Sequence, residues 1–204
     1  SHLALQTPLD ARQRNYVEKA HLSAVSLLGI INDILDFSKV EAGKMVIEQT
    51  GFRLDEVMEH LSNLSGIKTE DKGLELLFNV PPDIPQDLVG DPLRLGQILV
   101  NLGGNAVKFT NAGSVSLVIS YDGNRLTLVV EDTGTGMSAE EQQRVFGAFE
   151  RLSNAATQDG FGLGLSIVKQ IVGMLGGTIR LESEKGEGSR FTVELPMNTA
   201  DIGI

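Results

Sequence analysis

Asn101-Leu102-Gly103-Gly104-Asn105-Ala106-Val107-Lys108-Phe109-Thr110 is the stretch on which the reading of this chain turns. It closes a run, Pro92 to about Thr110, whose residues sort by helical spacing. Arg94, Gln97, Asn101, Asn105 and Lys108 recur at intervals of three and four and share one face. Leu95, Ile98, Leu99, Leu102, Ala106 and Phe109 make the other face, which can bury against a sheet. Pro92 suits the first turn of such a helix. A polar stripe is ordinarily the solvated side of a helix, with Glu and Lys mixed. This one rests on uncharged amides and a lysine. An asparagine carbonyl is a hard oxygen donor suited to Mg²⁺, an ion that also takes phosphate oxygens. Lys108 can neutralise phosphate as a point cation. Gly103-Gly104 inside a helix costs about 1 kcal/mol per glycine relative to alanine. Close approach of a ligand or a neighbouring element would explain the pair.

Two further stretches follow in order. Asp132-Thr133-Gly134-Thr135-Gly136 comes directly after the apolar alternation of Leu126, Leu128 and Val130. A carboxylate at the end of a strand is costly to bury without a donor. The exocyclic amine of adenine is such a donor, whereas guanine presents a carbonyl there. Alone, an Asp-Thr-Gly turn is commonplace. Gly160-Phe161-Gly162-Leu163-Gly164-Leu165 then opens a helix-like run to Leu175. Its glycines permit positive backbone dihedrals, and the helix behind them offers free N–H groups to an anion. It is neither a Walker A sequence nor a dinucleotide fingerprint. Phe146 and Phe149 lie between the two clusters and read, by themselves, as core packing. The polar stretch from Ser153 to Gly160 reads as a lid. In this order, the three stretches suit a purine nucleotide with metal-chelated phosphates.

Composition bounds the rest. The chain has 204 residues, 41% hydrophobic and 22% charged, enough for one substantial domain and an accessory element. A net charge of −10 argues against nucleic acid or an anionic membrane as main partner. With no cysteine, disulfides and thiolate metal sites are excluded. No apolar run is read as approaching a membrane span and no signal peptide opens the chain, so the polypeptide reads as soluble. That is compatible with the cytosolic portion of a membrane-anchored parent.

Residues 10–44 read as one long helix, with Asp10 as N-cap and Gly43 as stop. Val17, Ala20, Ala24, Leu27, Ile31 and Ile34 form its stripe, widened by Leu28 and Leu35. A stripe running so many turns suits a bundle seam that pairs with another helix or subunit. Beyond it the reading is strand Met45–Gln49, helix Leu54–Leu64, strand Leu74–Val80 and a proline loop at 81–85. After the Pro92 helix come strands Ser114–Tyr121 and Arg125–Asp132 as a hairpin, helix Ser138–Phe149 and helix Leu163–Leu175. Strands Thr178–Ser183 and Ser189–Leu195 finish the sequence. This non-alternating order predicts an α+β two-layer sandwich, a mixed sheet covered by helices on one face, preceded by a long N-terminal helix.

Together these stretches resemble the ATP-binding catalytic domain of sensor histidine kinases, within the Bergerat-fold ATPases. Asn101 to Thr110 looks like that family's asparagine box, and Asp132 to Gly136 like its first glycine box. Phe146-Gly147-Ala148-Phe149-Glu150 looks like its phenylalanine box, and Gly160 to Leu165 matches its second glycine box. Asp91 to Leu95 and Gly186 to Thr192 are also similar to stretches of the family. Ile31 to Gly43 resembles the second helix of its dimerisation and phosphotransfer hairpin, especially in hybrid kinases. The resemblance implies ATP and Mg²⁺ as cofactors, with Asn105 on the metal, Asn101 near the phosphates and Lys108 on phosphate. It puts Asp132 on the adenine amine, flanked by Gly134 and Gly136. Phe149, Gly160, Gly162, Leu163, Gly164, Leu165 and Thr192 complete the implied nucleotide site. It also implies a hairpin helix carrying an acceptor histidine, a response regulator receiver domain and a homodimer through the N-terminal helix. Residues 1–44 would then be a partial phosphotransfer helix, 45–197 the ATP-binding domain and 198–204 a tail.

One departure bears on mechanism. The family's acceptor lies in a His-Glu-x-Arg-Thr-Pro pattern, whereas here His2-Leu3-Ala4-Leu5-Gln6-Thr7-Pro8 lacks the acid and the arginine, and Thr-Pro comes one residue late. Leu3 to Asp10 resembles instead the turn between the two hairpin helices. The expectation is a truncated kinase whose acceptor histidine lies elsewhere, unable to phosphorylate itself. The rival expectations are a nucleotide-binding regulatory module without turnover, for which Thr135 and Gly103-Gly104 leave room, and a chaperone- or topoisomerase-like ATPase.

Overall fold

The computed structural model of the protein describes residues 2–150 and 162–200, except the side chains of 63–71. A short helix α1 (His2–Leu5) folds against the start of the long helix α2 (Ala11–Glu41), where Leu5 carbonyl accepts from Arg14. Asp10 caps α2 reciprocally: its carboxylate accepts from Gln13 N at 2.8 Å and its own N–H donates to Gln13 Oε1 at 3.1 Å. At the other end Gly43 has φ +63°, a backbone state that glycine adopts freely, and Lys44 N bonds back to Lys39 O. Both expected boundaries hold. α2 does depart from expectation in one respect. None of its residues is buried, and by length and composition alone it is long and apolar enough to cross a membrane. The weakly polar Ser23, Ser26 and Gly29 between the apolar positions keep its mean hydropathy high.

The C-terminal turns of α2 are tied to the rest of the chain. Asp36 Oδ2 accepts from Gln97 Nε2 at 2.8 Å and pairs with Arg94 at 3.4 Å, the Asp36 and Arg94 side chains each less than a fifth exposed. Phe37 meets Phe149 edge-on, ring centroids 5.9 Å apart, and Gln170 donates to Glu41. Burial, then the neighbouring Asp36 charge, raises the Asp33 carboxyl above its ordinary range.

Beyond α2, a short strand β1 (Thr50–Arg53) leads into α3 (Leu54–Lys72), then β2 (Glu75–Asn79), β3 (Asp87–Gly90) and α4 (Pro92–Phe109). β4 (Ser114–Tyr121) and β5 (Arg125–Asp132) form the expected hairpin, Tyr121 opposite Leu126. After α5 (Ala139–Arg144) and α6 (Gly164–Met174) come β6 (Thr178–Glu184), β7 (Gly188–Pro196) and β8 (Asn198–Thr199). The main sheet runs β2-β4-β5-β7-β6, parallel only between β2 and β4, and β1-β3-β8 make a small antiparallel sheet. The inward residues Leu117, Ile119, Leu126, Leu128, Val193 and Leu195 bury against Leu95, Ile98, Leu99 and Leu102 of α4 and Ile167 and Ile171 of α6. Each such side chain contributes roughly 1.5–3 kcal/mol. This is the expected α+β sandwich with a mixed sheet.

Several local expectations shift. The strand read at Met45–Gln49 begins instead at Thr50, because Met45 is buried and Glu48 N donates to Asp91 rather than to a strand. α3 passes Leu64 and stops at Gly73, whose φ is +65°. The helix read over Ser138–Phe149 is only six residues long: Gly147 N turns back to Arg144 O and Phe149 takes φ +63°, which no helix continues. β3 and β8 had no signal. β3 is four residues behind a proline loop, and β8 pairs through only two residues.

Candidate functional site

α4 is stopped and started by side chains that also place the site. Asp91, buried, caps it by accepting from Arg94 N at 3.0 Å while its second oxygen takes Glu48 N. The amphipathic spacing then turns the apolar side of α4 to the sheet and leaves Asn101, Asn105 and Lys108 along its outer edge. Between this edge, the end of β5 and the start of α6 opens a cleft lined by Asn105, Phe109, Asp132, Thr135, Gly136 and Leu165.

Asp132 stands at its floor, 7% exposed, as the last residue of β5. Gly134 N donates to its Oδ1 at 2.9 Å. Burial holds the carboxyl above its ordinary range, the N–H groups of Gly134 and Ser189 pull it back, and Glu131 adds a smaller push upward. Around it the walls are apolar: Ala106, Phe109, Met137, Val145, Leu165 and Phe191. A buried acceptor among apolar walls fits a flat heterocycle that offers an N–H donor.

The glycines are where close contacts require them. A Cβ at Gly134 would lie 2.4 Å from Phe109 O, and one at Gly136, where φ is +60°, 1.8 Å from Glu184 O. Gly164 opens α6 with its Cα facing Asn101: a Cβ would sit 2.8 Å from Asn101 Oδ1. Asn101 Nδ2 donates to Gln97 O at 3.0 Å, which turns its oxygen toward that helix start. The ammonium of Lys108 lies 5.3 Å from the centre of the Phe109 ring, beside the cleft. Oxygen donors and helix N–H groups thus converge on one side of the cleft and the carboxylate on the other. Among the described residues no group of three His, Cys, Asp or Glu could hold a metal. A hard cation here would rest on amide oxygen, water and ligand phosphate, which suits Mg²⁺.

The structure brings together Asn101, Asn105, Lys108, Asp132, Gly134, Gly136, Gly164 and Leu165 of the expected site. Leu163 is buried as the residue before α6, and Gly162, with φ +73°, accepts at its carbonyl from Phe149 N. Phe149 itself faces Phe37 and is 60% exposed. Thr192 is not brought in: it follows Phe191 along β7, so its side chain points to the opposite face of the sheet. Gly160 lies outside the described residues. Sequence reasoning missed Ser189 and Phe191, whose signal is the pairing of β7 with β5 that sets Ser189 opposite Asp132. It also assigned Phe109 and Ala106 wholly to the core, whereas both line the cleft. A Cβ added at Gly104 would meet no described atom within 4 Å, so no neighbouring element explains that glycine.

Residues 90–199 match the family model of histidine kinase-, DNA gyrase B- and HSP90-like ATPases. The signal transduction histidine-protein kinase BarA of Escherichia coli K12 is 39% identical over 198 residues, 94% of this chain and 22% of that protein. The sensor histidine kinase GacS of Pseudomonas protegens is 41% identical over 202 residues, 96% of this chain and 22% of that protein. The chain therefore spans 22% of the length of these two relatives. Among solved structures, full-length ShkA in complex with AMPPNP aligns with a TM-score of 0.80 at 36% identity, covering 96% of this chain and 41% of that one. The mycobacterial sensor histidine kinase MprB aligns at 0.63 and 27%, covering 74% of this chain and 100% of that one. Family match, fold and cleft agree: the chain belongs to the histidine kinase-, DNA gyrase B- and HSP90-like ATPases, and the relatives and solved structures it resembles are sensor histidine kinases.

Proposed function

We propose that the cleft binds Mg-ATP and that this domain transfers the γ-phosphoryl group to a histidine on a phosphotransfer helix outside these 204 residues. The observation that carries the reading is Asp132, a buried carboxylate with backbone N–H partners and an open, apolar-walled space in front of it. In this reading Asp132 accepts from the adenine amino group while Met137, Val145 and Phe191 flank the ring. Asn105 supplies an oxygen to Mg²⁺, Asn101 orients the phosphate side, and Lys108 offsets phosphate charge. When bound, Mg²⁺ supplies charge neutralisation on the phosphate oxygens. The protein's share is positioning and electrostatics rather than covalent chemistry. The domain would act as the cytosolic portion of a membrane-anchored, two-component sensor. It would be served by a receiver domain and paired with a second copy through α2.

Mixing the chain and labelled ATP with a separate hairpin domain that carries the acceptor histidine tests this. Phosphate is expected on that histidine, none on this chain alone, and none anywhere with Asn105→Ala. Acid-labile label on His2 would overturn the division of labour. Nucleotide binding without transfer would support instead a regulatory module.

The Asp132 carboxyl also fixes the sign of a pH effect. Its native value is raised, so the native state holds this proton more tightly than the unfolded chain does. The burial cost is therefore fully present above the raised value and is relieved as pH falls through it. A ligand amino group needs the ionised acceptor. Adenine-nucleotide affinity should then decline with acidification before the ordinary carboxylate range is reached. Calorimetric titration of ADP at a series of pH values checks this, with Asp132→Asn as the reference that lacks the group. A flat profile in the unsubstituted protein would contradict it.

A further inference from the structure

The end of α4 leaves carbonyls with no partner inside the helix, and their donors can be accounted for one by one. Ala106 O takes Thr110 Oγ1 at 2.7 Å, and Phe109 O takes Thr135 N at 3.2 Å. Val107 O, Lys108 O and Thr110 O all take the same group, the ammonium of Lys72, at 2.8, 3.1 and 3.2 Å. An ammonium has three donors, so all three are used on this one helix end. Its charge also faces the negative pole of the α4 dipole. Lys72 is the last residue of α3 and is itself exposed, so in the sequence it looks like surface charge.

We infer that Lys72 is a positioning residue for the nucleotide site. It lines no part of the cleft and acts through the backbone it holds. Phe109 O, flanked by two carbonyls that Lys72 grips, is the acceptor for Thr135 N in the Asp132 turn. The same oxygen is the atom that a Cβ at Gly134 would strike. One turn earlier on α4 stands Asn105. Lys72 thereby fixes the spacing between the Asn105 edge of the cleft and the Asp132 floor. Without it, three carbonyls at the end of α4 lose their donor, and the α4 end and the Asp132 turn can drift apart.

The inference rests on the Mg-ATP reading, and the experiment separates the two. Lys72→Met keeps the stem and removes the donors. It is expected to weaken ADP binding about tenfold, as loss of a charged hydrogen-bond partner would, at a temperature where melting curves show the protein fully folded. Lys72→Arg, which keeps charge and donors, is expected to recover most of the affinity. Hydrogen exchange should show the Thr135 amide losing protection in Lys72→Met. It should not do so in Arg125→Met, which removes an ion pair with Glu194 on the far side of the sheet. If Lys72→Met does not fold, Lys72→Gln is measured in its place, with a smaller loss expected. Unchanged ADP affinity in the folded Met or Gln variant, while Asp132→Ala abolishes binding, overturns the inference and leaves the nucleotide reading intact. Absence of ADP binding in the unsubstituted chain overturns the nucleotide reading itself.

Discussion

Asp132→Asn should cost roughly a hundredfold in adenine-nucleotide affinity while leaving the fold in place. The substitution preserves shape but not the pattern of acceptors. Asp132 accepts from the N–H of Gly134 on one side and faces the cleft on the other. A carboxylate accepts in both directions, whereas a side-chain amide has one acceptor and one donor end. If the Asn oxygen stays on Gly134, its NH₂ opposes the ligand's amino group. If it turns over, two donors face each other in a buried turn. Either arrangement leaves a buried donor unsatisfied, at about 1–3 kcal/mol, more where a charged partner is lost. That corresponds to the stated factor when the charged bond goes with it. Asp132→Ala removes the acceptor altogether and should show at least the same loss. Calorimetry with ADP, run beside a thermal melt, measures both sides. Wild-type affinity in a folded Asp132→Asn protein would remove Asp132 from the site.

The second large effect concerns folding. Gly188→Ala should lower stability by about 3–5 kcal/mol and the melting temperature by roughly 10 °C. Gly188 begins β7 with φ +110°, and a Cβ there would lie 2.0 Å from Asp132 O and 3.0 Å from Thr133 Cα. Both obstacles are backbone atoms, one at the end of the central strand β5 and one in the turn after it, so no side chain can swing aside. Two residues earlier Gly186 also has a positive φ, +88°, but an added Cβ would meet open space. Gly186→Ala therefore carries strain without collision and should cost about 1–2 kcal/mol. Equal shifts for the two variants would mean that the backbone collision at Gly188 is relieved by movement of the strand.

The parts of the molecule visible in the sequence are those governed by local rules. Asp10 and Gly43 bound α2 because caps act within one turn, and the β4–β5 hairpin followed from alternation around a short glycine turn. The polar edge of α4 could be read from spacing alone. What escaped depends on pairing between distant segments. Ser189 and Phe191 reach the cleft only because β7 pairs with β5, and Thr192 falls on the wrong face by the same alternation. β3 and β8 are too short to show a pattern of their own and are set by pairing, β3 between β1 and β8. Lys72 could not be singled out, since its three acceptors lie 35 to 38 residues further along the chain. The length and apolar character of α2 were concealed by its regularity, which reads as a seam for a partner helix and not as a stretch long and apolar enough to cross a membrane.

The anchoring of α2 by its final turns has a mechanical consequence. Asp36 and Phe37 fix the helix to α4 and to Phe149, while the stretch back to Ala11 carries no buried residue. At 1.5 Å per residue that stretch, touched near its start by α1, is about 38 Å long. A tilt of about 5° at the anchored end would sweep the far tip by about 3 Å. Whatever lies against the outer leucines is therefore displaced further than the anchored end where the tilt begins. A helix so anchored would amplify small angles at its base.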